Sequence, residues 1–212
     1  MKKFNQIIFL VCGLLLTLAA FPVFAQEADQ FRPNKRPLED LANLVNEKVS
    51  AEKVDLTKPF SIQLEGVLKG DGKLDPKKSK FTKSEGDAAM IDVGKNFVEA
   101  INDIGLFYYL KQFGIEKVKL TLSQDETTVR GIITSEFPSQ ERARTIASGF
   151  NAVFSLAKMQ NKEDNVKVLL ENWRTTTDAK NLSINFAAPI IEVQAFVKRE
   201  LDKIALKKQS NK

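Results

Sequence analysis

Apolar residues spaced three and four apart alternate along this chain with stretches in which every second residue is apolar. Leu38, Leu41, Leu44, Val45 and Val49 mark an amphipathic helix over 38–50. Phe60, Ile62 and Leu64 then alternate with Ser61, Gln63 and Glu65, the mark of a strand with one buried face. Gly66 interrupts that alternation, and a bulge is expected there. Asp71-Gly72 marks a tight turn, because glycine tolerates the positive φ such turns require. A weaker, polar strand over 77–83 returns from it. Ser84 is the expected cap of a helix over 86–102, whose stripe is Met90, Ile91, Phe97, Val98, Ile101 and Ile104. After Gly105, the run 106–110 forms a second, very apolar helical piece, stopped at Gly114.

Val118, Leu120 and Leu122 give the clearest half-buried strand, and 127–136 returns with Val129, Gly131 and Ile133 sharing a face. A long helix over 138–160 carries Ala143, Ile146, Ala147, Phe150, Val153, Phe154 and Ala157 as a core-facing stripe. Val166, Leu169, Leu170 and Trp173 predict a shorter helix over 163–173, with Trp173 a packing anchor at its end. Leu182, Ile184 and Phe186 alternate as a fifth strand. Pro189 suits the first turn of a final helix with Val193, Phe196, Val197, Leu201 and Ile204 inward. The order α-ββ-αα-ββ-αα-βα, with half-apolar strands throughout, predicts an α+β fold. Its sheet is five-stranded, mostly antiparallel or mixed, with helices packed on one face.

The ends of the chain bear on location. Lys2 and Lys3 precede an apolar stretch, and Pro22 with Val23 and Ala25 reads as a signal-peptidase site, so 1–25 is expected to be a signal peptide. Residues 26–37 are a polar leader, 38–206 a single domain and 207–212 a basic, solvated tail. The expected location is the periplasm or beyond. The alternative is an inner-membrane anchor over 4–25, which is long enough to cross a bilayer. After cleavage, 32 basic side chains less Lys2 and Lys3 leave 30 against 27 acidic ones. So small an excess does not imply nucleic acid.

Composition removes several chemistries. The chain has no histidine, and its one cysteine, Cys12, leaves with the signal. Imidazole general bases, thiolate nucleophiles, disulfides and His/Cys zinc sites are therefore excluded in the mature chain. A hydrolase would need convergent carboxylates or a Ser-Lys pair in a cleft. The expectation is a non-enzymatic domain with no catalytic residue, cofactor or metal.

Three features could bind. Lys69, Lys73, Lys77, Lys78, Lys80 and Lys83 form a lysine-rich hairpin, suited to an anionic envelope surface or, more simply, to a solvated edge strand. The polar sheet face, with Lys119, Thr121 and Arg130, could meet an envelope protein, or an edge could accept an added strand. Plain solvation is the simpler reading of that face. An apolar ligand or lipid could lie between helices and sheet near Phe97, Tyr108, Phe150 and Phe154, which calls for a cavity of about 300 Å³ or more. Asp71 to Asp75 faintly echoes a calcium loop, but Lys73 stands at a ligand position and a turn is the better reading.

Phe60-Ser-Ile-Gln-Leu-Glu-Gly-Val-Leu, Gly70-Asp-Gly-Lys-Leu, Glu85-Gly-Asp and the helix ending Ala100-Ile-Asn102 together resemble the carboxy-terminal module of TonB-family periplasmic proteins. The resemblance covers about 60–136. It implies a small α+β unit that docks partners by pairing a strand at its sheet edge. With 4–25 uncleaved, it implies a membrane-anchored coupling protein. The leading expectation is an exported binding or accessory domain working through protein contacts.

Overall fold

The computed structural model describes residues 36–160, 170–193 and 195. The expected signal and nearly all of the leader, most of the helix over 163–173, the residues Phe196, Val197, Leu201 and Ile204, and the basic tail lie outside these. In chain order the elements are α1 (Arg36–Ser50), β1 (Phe60–Val67), β2 (Lys80–Gly86), α2 (Ala88–Ile104), α3 (Phe107–Gln112), β3 (Lys117–Gln124), β4 (Thr128–Glu136), α4 (Gln140–Gln160), β5 (Trp173–Asp178) and β6 (Asn181–Pro189).

The sheet is open and antiparallel throughout, in the order β2-β1-β3-β4-β6-β5. It has six strands where the alternation predicts five. The additional one is β5, Trp-Arg-Thr-Thr-Thr-Asp, whose buried positions are Trp173 and Thr175. Its inward side turns polar after one residue, so no apolar alternation announces it. Three β-branched threonines nonetheless favour the extended backbone. Trp173 therefore opens a strand rather than closing a helix.

Register aligns the inward side chains in rows across the sheet. One row runs Ile62, Leu122, Gly131, Phe186, Trp173, and the next runs Leu64, Leu120, Ile133, Ile184, Thr175. These rows belong to one continuous hydrophobic core. Helix α2 packs on β1 and β2, α4 packs on β5 and β6, and α1 packs on α2. At Gly94 a Cβ would lie 2.6 Å from the Phe60 ring, so the missing side chain lets α2 rest directly on β1.

Local details differ from the sequence reading in three places. Asp87, not Ser84, caps α2: its carboxylate accepts the Met90 N–H at 3.0 Å, while Ser84 belongs to β2. Strand β2 starts at Lys80, three residues later than expected, because Asp75 accepts the Lys77 and Lys78 N–H groups in a turn. The irregularity in the hairpin falls between Gln63 and Leu64 rather than at Gly66. The Asp71-Gly72 turn forms, closed by the Lys69 N–H donating to the Lys73 carbonyl at 2.8 Å. The Leu74 N–H then donates to Asn102 Oδ1 at 2.7 Å, pinning this connection to the end of α2.

Candidate functional site: an apolar groove between the helices

The six hairpin lysines do not form an unopposed basic patch. Lys69, Lys73, Lys77 and Lys78 lie in the β1–β2 connection, and Lys80 and Lys83 lie on the edge strand β2. Three of them have acidic neighbours: Lys69 with Asp71 at 3.5 Å, Lys78 with Asp75 at 3.9 Å and Lys83 with Glu85 at 3.0 Å. Asp71 accepts the Lys73 N–H, and that bond, with Lys69 alongside, holds its carboxyl below the ordinary range. The loop is a hydrogen-bonded turn. Among the described residues no group of three potential metal ligands gathers anywhere.

The polar sheet face does bring Lys119, Thr121 and Arg130 onto one surface, but its polar groups are largely engaged with one another. Lys119 pairs with Glu65 at 3.9 Å. Arg130 binds Asp125, which also accepts the Thr127 and Thr128 N–H groups at 2.9 and 2.8 Å. The guanidinium first, and those N–H groups after it, hold the Asp125 carboxyl well below the usual carboxylate range. Thr134 and Ser183 hydroxyls meet at 3.4 Å, and the Asn185 amide donates to Thr176 Oγ1 at 3.3 Å.

The helical side is different. Since α2 covers one flank of the sheet and α4 the other, the roof parts above β3 and β4. The parting holds an apolar groove with a cavity volume of about 60 Å³, or about 870 Å³ of free space when open solvent is included. Phe97 and Ile101 of α2 wall it on one side, and Phe150, Val153 and Phe154 of α4 on the other. The short helix α3 contributes Phe107, Tyr109 and Leu110, with Phe113 just beyond it. Leu120, Leu122, Gly131, Ile133 and Ile184 form the floor. Tyr109, Phe113 and Val153 are part-exposed and form its mouth. Leu156, three residues on from Val153 and so on the same flank of α4, is 41% exposed. Burial is also the main reason the Tyr109 hydroxyl holds its proton above the ordinary range.

Two features mark this space. Gly131 stands mid-row between Leu122 and Phe186, in ladders that run without a bulge on either side. It is not among the glycines at positive φ, which are Gly72, Gly86, Gly105 and Gly114. Its backbone thus does not require glycine, and an interior strand glycine of that kind marks close approach by something else. Secondly, aromatic rings lead from mouth to core: Phe113, Phe150, Phe154, Trp173 and Phe186 follow at centroid spacings of 4.3, 6.2, 5.6 and 5.1 Å. Trp173 lines the hollow and is 6% exposed, yet its Nε1–H meets no acceptor. Leaving such a donor buried and unpaired costs about 1–3 kcal/mol. Thr175 Oγ1 is also unpartnered but does not line the groove, and Gln124, whose Oε1 is unpartnered, spends its amide N–H on the Leu56 carbonyl at 2.6 Å.

Of the residues expected around an apolar ligand, Phe97, Phe150 and Phe154 converge here, while Tyr109 rather than Tyr108 lines the space. At about 60 Å³ the cavity is far below the about 300 Å³ of a drug-sized site. It fits the end of a slender molecule, the remainder of which would lie in the open groove. Gly131 and Trp173 were not legible as site residues, because neither a gap in a core row nor the strand β5 can be seen without register. Comparison with known proteins returned no matching family model, no matching curated protein and no matching solved structure.

Proposed function

We propose that this chain is an exported, non-catalytic binding domain that holds the end of a slender, uncharged apolar molecule in the groove above β3 and β4. The observation that carries the reading is the groove that Gly131 lines: a glycine takes the mid-row place between Leu122 and Phe186, and the surface around it is almost wholly carbon. Each methylene drawn into such a space contributes about 0.8 kcal/mol. Straight-chain alkanes of increasing length therefore test it directly, with the fluorescence of Trp173, the chain's one tryptophan, as the signal. Affinity should rise about fourfold per carbon until the enclosed part is full. Gly131→Val, which fills the floor, should abolish the signal while the fold stays intact. A length-independent response, or an unchanged one in Gly131→Val, would sink the reading.

A second reading is supported by the edge strand. Strand β2 pairs with β1 alone, and every residue but Phe81 is exposed. A protein partner could add a strand there, as the TonB-like resemblance implies. A photo-crosslinking residue at Thr82 should then capture one protein in living cells, and the same probe at Thr134, on a central strand, should not. Equal labelling from both positions would count against it.

A further inference from the structure

We infer that the open edge of β5 pairs with itself: two copies of this chain join their sheets there, strand against antiparallel strand, about a two-fold axis at Thr176. Strand β5 ends the sheet, bonded to β6 alone, and among the described residues no strand lies beyond it. The Asn172 carbonyl accepts the Ala187 N–H at 3.2 Å, which fixes the phase of that ladder. Every second residue of an antiparallel strand turns its main-chain groups to the same neighbour. Arg174, Thr176 and Asp178 therefore turn theirs to β6, and Thr175 and Thr177 turn theirs to the open edge. The sequence Arg174-Thr175-Thr176-Thr177-Asp178 is its own complement. Laid antiparallel on a second copy about Thr176, it sets Thr175 opposite Thr177 and Arg174 opposite Asp178, on both sides of the axis. The two threonines that face each other are the ones whose N–H and C=O groups point outward, so the ladder and the charges demand one register. Arg174, Thr176 and Asp178 are exposed, and this register keeps them together on one polar face. Arg174 and Asp178 stand about 13 Å apart along their own strand, too far to pair within one copy. Among the described residues neither has an ion-pair partner. Strand β5 also has no lysine, proline or bulge, the usual guards of an edge, whereas β2 carries Lys80 and Lys83.

Analytical ultracentrifugation of the purified chain should show a monomer–dimer equilibrium. Arg174→Asp sets like charges face to face at both ends of the shared ladder and should weaken the dimer about tenfold. Asp178→Arg should do the same, and the two together should restore the affinity to within about threefold. Thr177→Pro removes an N–H that β6 does not use, so it should abolish the dimer and leave the circular dichroism unchanged. A thiol reads the register directly. With Cys12→Ser removing the chain's own cysteine, Thr176→Cys should oxidise to a covalent dimer, because Cα atoms facing at such an axis lie about 4.5 Å apart. Asp178→Cys, displaced from its own copy by about 13 Å along the strand, should not. A chain that stays monomeric at about 100 μM, or a dimer that the double exchange does not restore, would overturn the inference. So would a dimer that crosslinks through Thr82→Cys and not through Thr176→Cys, which would put β2 at the interface. Should Thr177→Pro not fold, the charge exchanges and the thiol decide.

Discussion

Two glycines divide the helical side of this molecule into regions built on opposite principles. Around Gly94 the missing side chain is consumed: Phe60 and Ile62 fill the space, and α2 lies on β1. Gly131 instead lines the groove, where the roof of helices parts. Core packing near native density leaves few voids larger than a water molecule. An apolar cavity lined by a glycine whose backbone does not require one is thus capacity that folding has not used. The opposite sheet face teaches the same lesson in reverse. Two of its cations, Lys119 and Arg130, are engaged, with Glu65 and Asp125.

The same substitution should have opposite consequences in the two regions. Gly94→Val would drive methyl groups into Phe60 and Ile62, 2.6 and 3.1 Å from where a Cβ falls. Overpacking of this kind should lower stability by about 3 kcal/mol in a urea titration. Gly131→Val adds a β-branched residue to a strand at a position that lines the groove. It should change stability by less than about 1 kcal/mol, in either direction. If both variants lose stability alike, the contrast between the regions is broken.

The smallest effect concerns acid. Asp125 has a folded-state pKa below its unfolded value of about 3.9. Below about pH 4 the unfolded chain therefore binds the extra proton first, and stability falls as pH drops toward the folded value. Asp125→Asn should flatten the decline in Tm between about pH 4 and 2 and leave groove binding at neutral pH unchanged. A steeper decline in the variant would reverse the sign and refute the assignment.

Much of this fold was legible in the residues. Strands β1, β3, β4 and β6 announce themselves because Phe60 to Leu64, Val118 to Leu122, Val129 to Ile133 and Leu182 to Phe186 each turn alternate side chains to the core. Strand β5 did not, since Thr175 takes an inward place where an apolar residue is expected. Leu169, Leu170 and Trp173 fall at helical steps, and that spacing carried the expected helix into the first residue of β5. The site was legible in part. Phe97, Phe150 and Phe154 stand out as inward aromatics on two helices, but their convergence depends on where those helices land. That Gly131 leaves a gap depends on Leu122 and Phe186 lying beside it, and strand pairing alone decides this.

The most direct measurement is a crystal structure of the chain under xenon pressure, since dry apolar cavities take up xenon. The groove reading predicts a xenon atom over Gly131, in contact with Phe150 or Trp173, that vanishes in Gly131→Val. A hollow that takes up no xenon, or that proves to be filled by the protein's own side chains, would contradict it.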